Sequence, residues 1–142
     1  MGTFWYLAIS AFEIQRLLFP VTFPLIAGGM ASAVFGLTRQ NSGVAENHRR
    51  LCLAGLAQGA PAFAVLLYGA MEYHIVPTGA VSDDVAAIFI GGPLAIQVPL
   101  IPAWAWWCRQ AWPISLGMGL TWAAYSLGAG FMARCAATGF WL

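Results

Sequence analysis

The chain has little charge with which to face water. Only 8% of its 142 residues are Asp, Glu, Lys or Arg, where a soluble domain carries about a quarter. Lysine is missing, so the six basic residues are all arginine, and the formal net charge is +1. Nothing forms a basic stripe, which excludes nucleic acid as a partner. Cysteine is sparse as well. Cys52, Cys108 and Cys135 stand far apart, with no CxxC and no Cys/His spacing of a zinc site. They read as small apolar residues of helices. The sharper alternative is a reactive thiol at Cys108 or Cys135, each beside an arginine that would stabilise a thiolate. No complete catalytic or metal motif is present, so nothing assigns an enzyme class or a cofactor.

What the chain does have is apolar length, since 61% of its residues are hydrophobic. Between Arg16 and Arg39 there is no charged side chain. A bilayer core of about 30 Å needs roughly 20 apolar residues in a helix, and four segments satisfy this: about 17–38, 51–71, 85–107 and 111–133. Unpaired backbone groups are too costly in hydrocarbon for loops. The runs are continuously apolar, without the period of two of a barrel strand. The fold class predicted is therefore an all-α integral membrane protein, a single domain built as a bundle of four transmembrane helices.

Residues 1–16 are apolar apart from Glu13 and Arg16. They either lie in the interface, with Trp5 and Tyr6 at headgroup level, or extend the first span into one long helix bent near Pro20 and Pro24. The long helix is the preferred expectation. Ala31-Ser32-Ala33 resembles a signal cleavage site, but the start lacks a basic region and the apolar run is too long. The segment is expected to be retained.

The connections differ in sign. The first carries Arg39, Arg49 and Arg50 and the third Arg109, while the second carries Glu72, Asp83 and Asp84. The positive-inside rule places the first and third in the cytoplasm and both termini outside it, in an arrangement expected for a bacterial inner membrane. Arg16 and Arg134 fall on the opposite side from the other basic residues.

Small residues recur four apart at Gly28, Ser32 and Gly36, at Gly55 and Gly59, and at Ser115, Gly119 and Ala123. Lipid supplies no hydrophobic drive between helices, so such faces are where helices associate, within the chain or between chains. Gly91-Gly92-Pro93, Pro99 and Pro102 predict a kinked third span. Of seven tryptophans, Trp5, Trp104, Trp106, Trp107, Trp112 and Trp141 fit aromatic belts at the span ends. Trp122 alone falls inside a span, where it would offer a stacking surface for a planar ring.

The polar candidates are few. Glu13 and Arg16, three apart, would pair on one helix face. A carboxylate inside a membrane would serve proton coupling or cation binding. Gln58 and Gln97 are the strongly polar side chains inside the second and third spans and would fix helix register. His48 and His74 fall on opposite membrane faces and cannot share a metal. His74 is a candidate ligand for haem or a pigment at the outer surface. Glu46, His48, Arg49 and Arg50, with Arg109, face anionic headgroups or a carboxylate ligand.

The stretch Arg49-Arg50-Leu51-Cys52-Leu53-Ala54-Gly55-Leu56-Ala57-Gln58-Gly59-Ala60-Pro61-Ala62-Phe63 resembles the second-helix signature of the MAPEG family, the membrane-associated proteins of eicosanoid and glutathione metabolism. Pro61-Ala62-Phe63 matches, Gln58 stands at the position of the family's Glu, Gly55 at that of its Asn, and Arg50 is displaced by one. Arg109 followed by Trp112 resembles the opening of the family's last helix. The Arg- and Tyr-bearing third helix is replaced by a Gly- and Pro-rich run. The resemblance implies a homotrimer with a glutathione or lipid site involving Arg50, Gln58 and Arg109.

Three functions are expected to compete. The leading one is a non-catalytic accessory or structural subunit packing into a larger membrane complex of respiratory or photosynthetic type, with lipids and other subunits as partners. The others are the MAPEG-like trimer and a small oligomeric transporter or channel that uses Glu13.

Overall fold

A computed structural model describes residues 2–14, 18–39, 43–75 and 83–138, and every regular element among them is helical. The order is α1 (Gly2–Glu13), α2 (Phe19–Arg39), α3 (Gly43–Ile75), α4 (Asp83–Trp107), a 3-10 turn at Arg109–Ala111, and α5 (Trp112–Thr138). Three stretches, Phe19–Thr38, Asn47–Glu72 and Asp84–Trp107, are long and apolar enough to cross a membrane.

Prolines sit where helices tolerate them or are carried through. Pro20 and Pro113 occupy the first turns of α2 and α5, where the missing N–H would have had no partner. The Leu18 carbonyl accepts both the Val21 and Thr22 amides at 2.9 Å, and the Thr22 hydroxyl at 3.1 Å, which closes the start of α2. Pro93, Pro99 and Pro102 lie within one assigned helix, α4.

The centre of the molecule is α5, which packs against each of the other four helices. It is not among the three most apolar stretches, and the reason is its position. Its inward residues are mostly small: Ser115, Gly117, Gly119, Ala124, Ser126, Gly128, Ala129, Gly130, Ala133, Ala136 and Ala137 are all buried, with Pro113 and Met132 the larger exceptions. A helix enclosed by other helices needs close approach more than lipophilic bulk. The large apolar side chains point outward instead, among them Phe23, Val34 and Phe35 on α2, Leu56 and Leu67 on α3, and Ile88, Ile96 and Val98 on α4.

Glycine sets the spacing along α5. A Cβ on Gly117 would stand 2.5 Å from the Gly29 carbonyl oxygen and 3.1 Å from the Ala33 nitrogen, and one on Gly36 would meet Ile114 and Pro113. Ser32 donates to the Pro113 carbonyl at 2.8 Å across this seam. On α3, Gly55 abuts Met118, Gly59 abuts the Trp122 ring, and Gly69 lies against the Ala133 backbone. Gly119 abuts Ile101 of α4. The expected packing positions Ser32, Gly36, Gly55, Gly59 and Gly119 therefore lie in seams inside the chain. Gly28 faces α5 more loosely: a Cβ there would meet only the Leu120 side chain, at 3.8 Å, and Gly29 makes the close approach.

Residues 2–14 depart from the expected long first helix. They form a separate helix that packs on α3 and α5 through Leu7 and Ala11, against Ala62, Leu66, Ala129 and Met132. With 12 residues, α1 is about 18 Å long, too short to cross the hydrocarbon. Its Tyr125 contact fixes it further: the Tyr125 hydroxyl donates to the Ala8 carbonyl at 3.1 Å. Phe4 and Trp5 share a cleft with Ile26, Phe63 and Trp122, residues from the interiors of α2, α3 and α5. Trp5 is thus beside the middle of the bundle rather than at an end. Arg16 and Trp141 lie outside the described residues.

Candidate functional site

Antiparallel packing brings the end of α2, the start of α3, the end of α4 and the start of α5 together. Leu51, Ala54, Cys108 and Ala111 form the buried cluster there, flanked by Trp104 and Ile114. Asn47 donates to the Gln110 side-chain oxygen at 2.8 Å and ties α3 to the 3-10 turn. Two arginines are held at this end by tryptophan faces. The Arg109 guanidinium carbon stands 4.6 Å from the Trp106 ring centre, and that of Arg50 stands 5.9 Å from the Trp107 ring centre. Such stacking leaves the guanidinium edge free to donate.

Arg109 lines an open groove of about 480 Å³ with Pro102, Ala105, Trp106, Trp112 and Leu116. Arg50 does not line it, and neither does Gln58. The three residues joined by the MAPEG resemblance therefore do not share this groove.

Cys108 is fully buried at the same end. Burial pushes its thiol above the ordinary value, and the Ser115 hydrogen bond and the Arg50 charge oppose this more weakly. The thiol is held protonated, which does not favour the reactive-thiolate alternative. Cys52 is exposed, with its sulfur 3.8 Å from His48 Nε2.

Deeper in the bundle lies a polar junction of α3, α4 and α5. Gln97 donates to the Gln58 carbonyl at 3.0 Å, and the Gln58 amide reaches the Ser115 hydroxyl at 3.5 Å. Gln58 is completely buried, and its Oε1 has no hydrogen-bond partner among the described residues. The Gln97 side chain thus bonds the backbone of Gln58 across helices.

A second cleft, about 660 Å³, opens between α1, α2, α3 and α5. Phe63, Trp122 and Tyr125 form its aromatic wall, with Trp122 5.6 Å from Phe63 and 5.8 Å from Tyr125 between ring centres. Its two polar side chains are already engaged, Tyr125 with Ala8 and Thr121 with the Gly117 carbonyl at 2.9 Å. A third cleft, about 420 Å³, lies between α2 and α4 over α5 and is lined partly by Gln97 and Ser126.

Glu13 is exposed at the end of α1 and lines none of these three clefts. The His74 side chain lies outside the described residues. No group of three His, Cys, Asp or Glu side chains suited to a metal occurs among the described residues. At the end of α3 opposite the arginines, Tyr68 stacks on Phe89 at 5.1 Å. The Tyr68 hydroxyl and Glu72 Oε2 are buried atoms without hydrogen-bond partners among the described residues. Sequence reasoning passed over this pair, although the spacing of four on a helix was there to be read.

No protein-family profile, curated protein or solved structure matches the chain.

Proposed function

We propose that this chain is a non-catalytic subunit of a larger membrane protein assembly, inserted through α2, α3, α4 and α5 as four spans. The observation that carries the reading is the inverted distribution of side-chain size: small residues at the centre along α5, large apolar residues outward on α2, α3 and α4. A water-soluble bundle would reverse it. Ser32, Gln97 and Tyr125 spend their hydrogen bonds between helices. With the small-residue seams occupied within the chain, partners would be met through the large side chains of the outer faces. The arginine-bearing end is assigned to the cytoplasm of a bacterial inner membrane, on the positive-inside rule.

Gentle extraction from the native membrane, followed by size separation and mass spectrometry of the co-migrating proteins, tests the reading. The chain is expected to travel with larger membrane proteins. A monodisperse species containing this chain alone would overturn it.

A further inference from the structure

We propose that the groove at the α4–α5 turn binds an anionic glycerophospholipid, with its phosphate on Arg109 and the upper part of one acyl chain along the apolar wall. The proposal stands whether or not the chain belongs to a larger assembly. Four observations converge on it. Arg109 is exposed, and no carboxylate pairs with it among the described residues. Its guanidinium lies over the Trp106 ring at 4.6 Å, a position from which its N–H groups can make a two-point contact with phosphate oxygens. Trp106 and Trp112 are 71% and 46% exposed, amphipathic rings of the kind that favour the boundary between headgroups and hydrocarbon. Pro102, Ala105 and Leu116 continue the groove without polar side chains. Pro102 lies five residues before the end of α4 at Trp107, about 7.5 Å along the helix, so the wall runs from the arginine-bearing turn toward the middle of the bundle.

This shape selects among anions. A free phosphate would use the arginine and leave the wall bare. A neutral lipid would use the wall and leave the arginine without a counter-charge. A lipid carrying net negative charge uses both. The volume, about 480 Å³, suits a headgroup and the beginning of one chain.

The test is native mass spectrometry of the detergent-purified full chain with equimolar phosphatidylglycerol and phosphatidylcholine of identical acyl chains. Wild type is expected to retain phosphatidylglycerol preferentially, and Arg109→Gln to reduce that preference about fivefold. Arg109→Lys should retain part of it, because the charge survives and the planar fork does not. Trp106→Ala should weaken it while leaving the net charge unchanged. Arg49→Gln, at an exposed position outside the groove and able to meet headgroups only diffusely, should reduce it less than Arg109→Gln does. Equal retention of the two lipids by wild type would overturn the proposal. So would loss of preference in Arg49→Gln with none in Trp106→Ala, the pattern of diffuse electrostatic attraction. Displacement of phosphatidylglycerol by an equal concentration of inorganic phosphate would also overturn it, by making the free anion the occupant.

Discussion

Replacing Gly117 by alanine should separate α2 from α5, and the geometry sets the cost. The added Cβ would stand 2.5 Å from the Gly29 carbonyl oxygen. That atom is backbone and cannot rotate away. Reaching even 3.0 Å requires the two helices to part by about 0.5 Å. Overpacking of this kind costs about 1–3 kcal/mol. The shift also strains the Ser32 to Pro113 hydrogen bond at 2.8 Å, worth about 1 kcal/mol. Better helix propensity returns up to about 1 kcal/mol. The net expectation is a loss of about 2 kcal/mol, roughly thirtyfold in the unfolding equilibrium. Gly28→Ala is the internal control. Its nearest neighbour would be a leucine methyl at 3.8 Å, so it should be neutral or slightly stabilising. Reversible unfolding in mixed micelles of rising SDS fraction, followed by tryptophan fluorescence, measures both. Equal stability of the two variants, or a larger loss for Gly28→Ala, would refute the seam.

Other consequences can be measured in the same preparation. Tyr125→Phe removes the bond to the Ala8 carbonyl at 3.1 Å and should loosen α1 by about 1 kcal/mol; amide exchange over residues 2–13 should accelerate about fivefold, with α3 unchanged. Gln58→Leu deletes a buried oxygen that has no partner among the described residues together with only a long amide contact to Ser115 at 3.5 Å, and should be neutral within about 0.5 kcal/mol, whereas Gln97→Leu should cost about 0.6–1.7 kcal/mol by losing its bond to the Gln58 carbonyl at 3.0 Å. Cys108 carries a pH dependence. Its folded thiol holds its proton above the ordinary value, so the unfolded chain deprotonates first as pH rises through about 8.5. Stability from this group is complete below that pH and falls above it. Denaturation midpoints between pH 7 and 10 should therefore drop less in Cys108→Ala than in wild type.

Much of the architecture was legible because hydrocarbon imposes simple demands. The charge-free run after Arg16 and the apolar runs after Arg50 and Asp84 predicted α2, α3 and α4 to within a few residues at most ends; α3 begins earlier, at Gly43. Gln58 and Gln97 were identifiable as the strongly polar side chains within α3 and α4, but that Gln97 bonds the Gln58 backbone depends on packing. The central place of α5 was not legible. Its Gly, Ala and Ser content looks like weak hydrophobicity when each helix is read alone, and only packing shows it to be enclosure. The close approach at Gly29, beside the expected Gly28, has a similar origin, since it depends on where Gly117 lies. The separation of α1 from α2 depends on the fit of Leu7 and Ala11 against α3 and α5, a contact between distant segments. At the basic end, both arginines stood out as the charged residues beside the helix ends. Which of them lines a groove was decided by the placement of Trp106 and Trp112.

The most direct measurement is a spin-label scan in lipid nanodiscs that compares accessibility to oxygen, which enriches in lipid, with accessibility to a water-soluble nickel chelate. Labels at Phe35, Leu56 and Ile96, exposed on α2, α3 and α4, should be reached by oxygen and shielded from nickel. Labels at Ala124 and Ala129 of α5, buried in the bundle, should be reached by neither. Nickel access along α2, α3 and α4, or oxygen access along α5 equal to theirs, would contradict a membrane bundle built around α5.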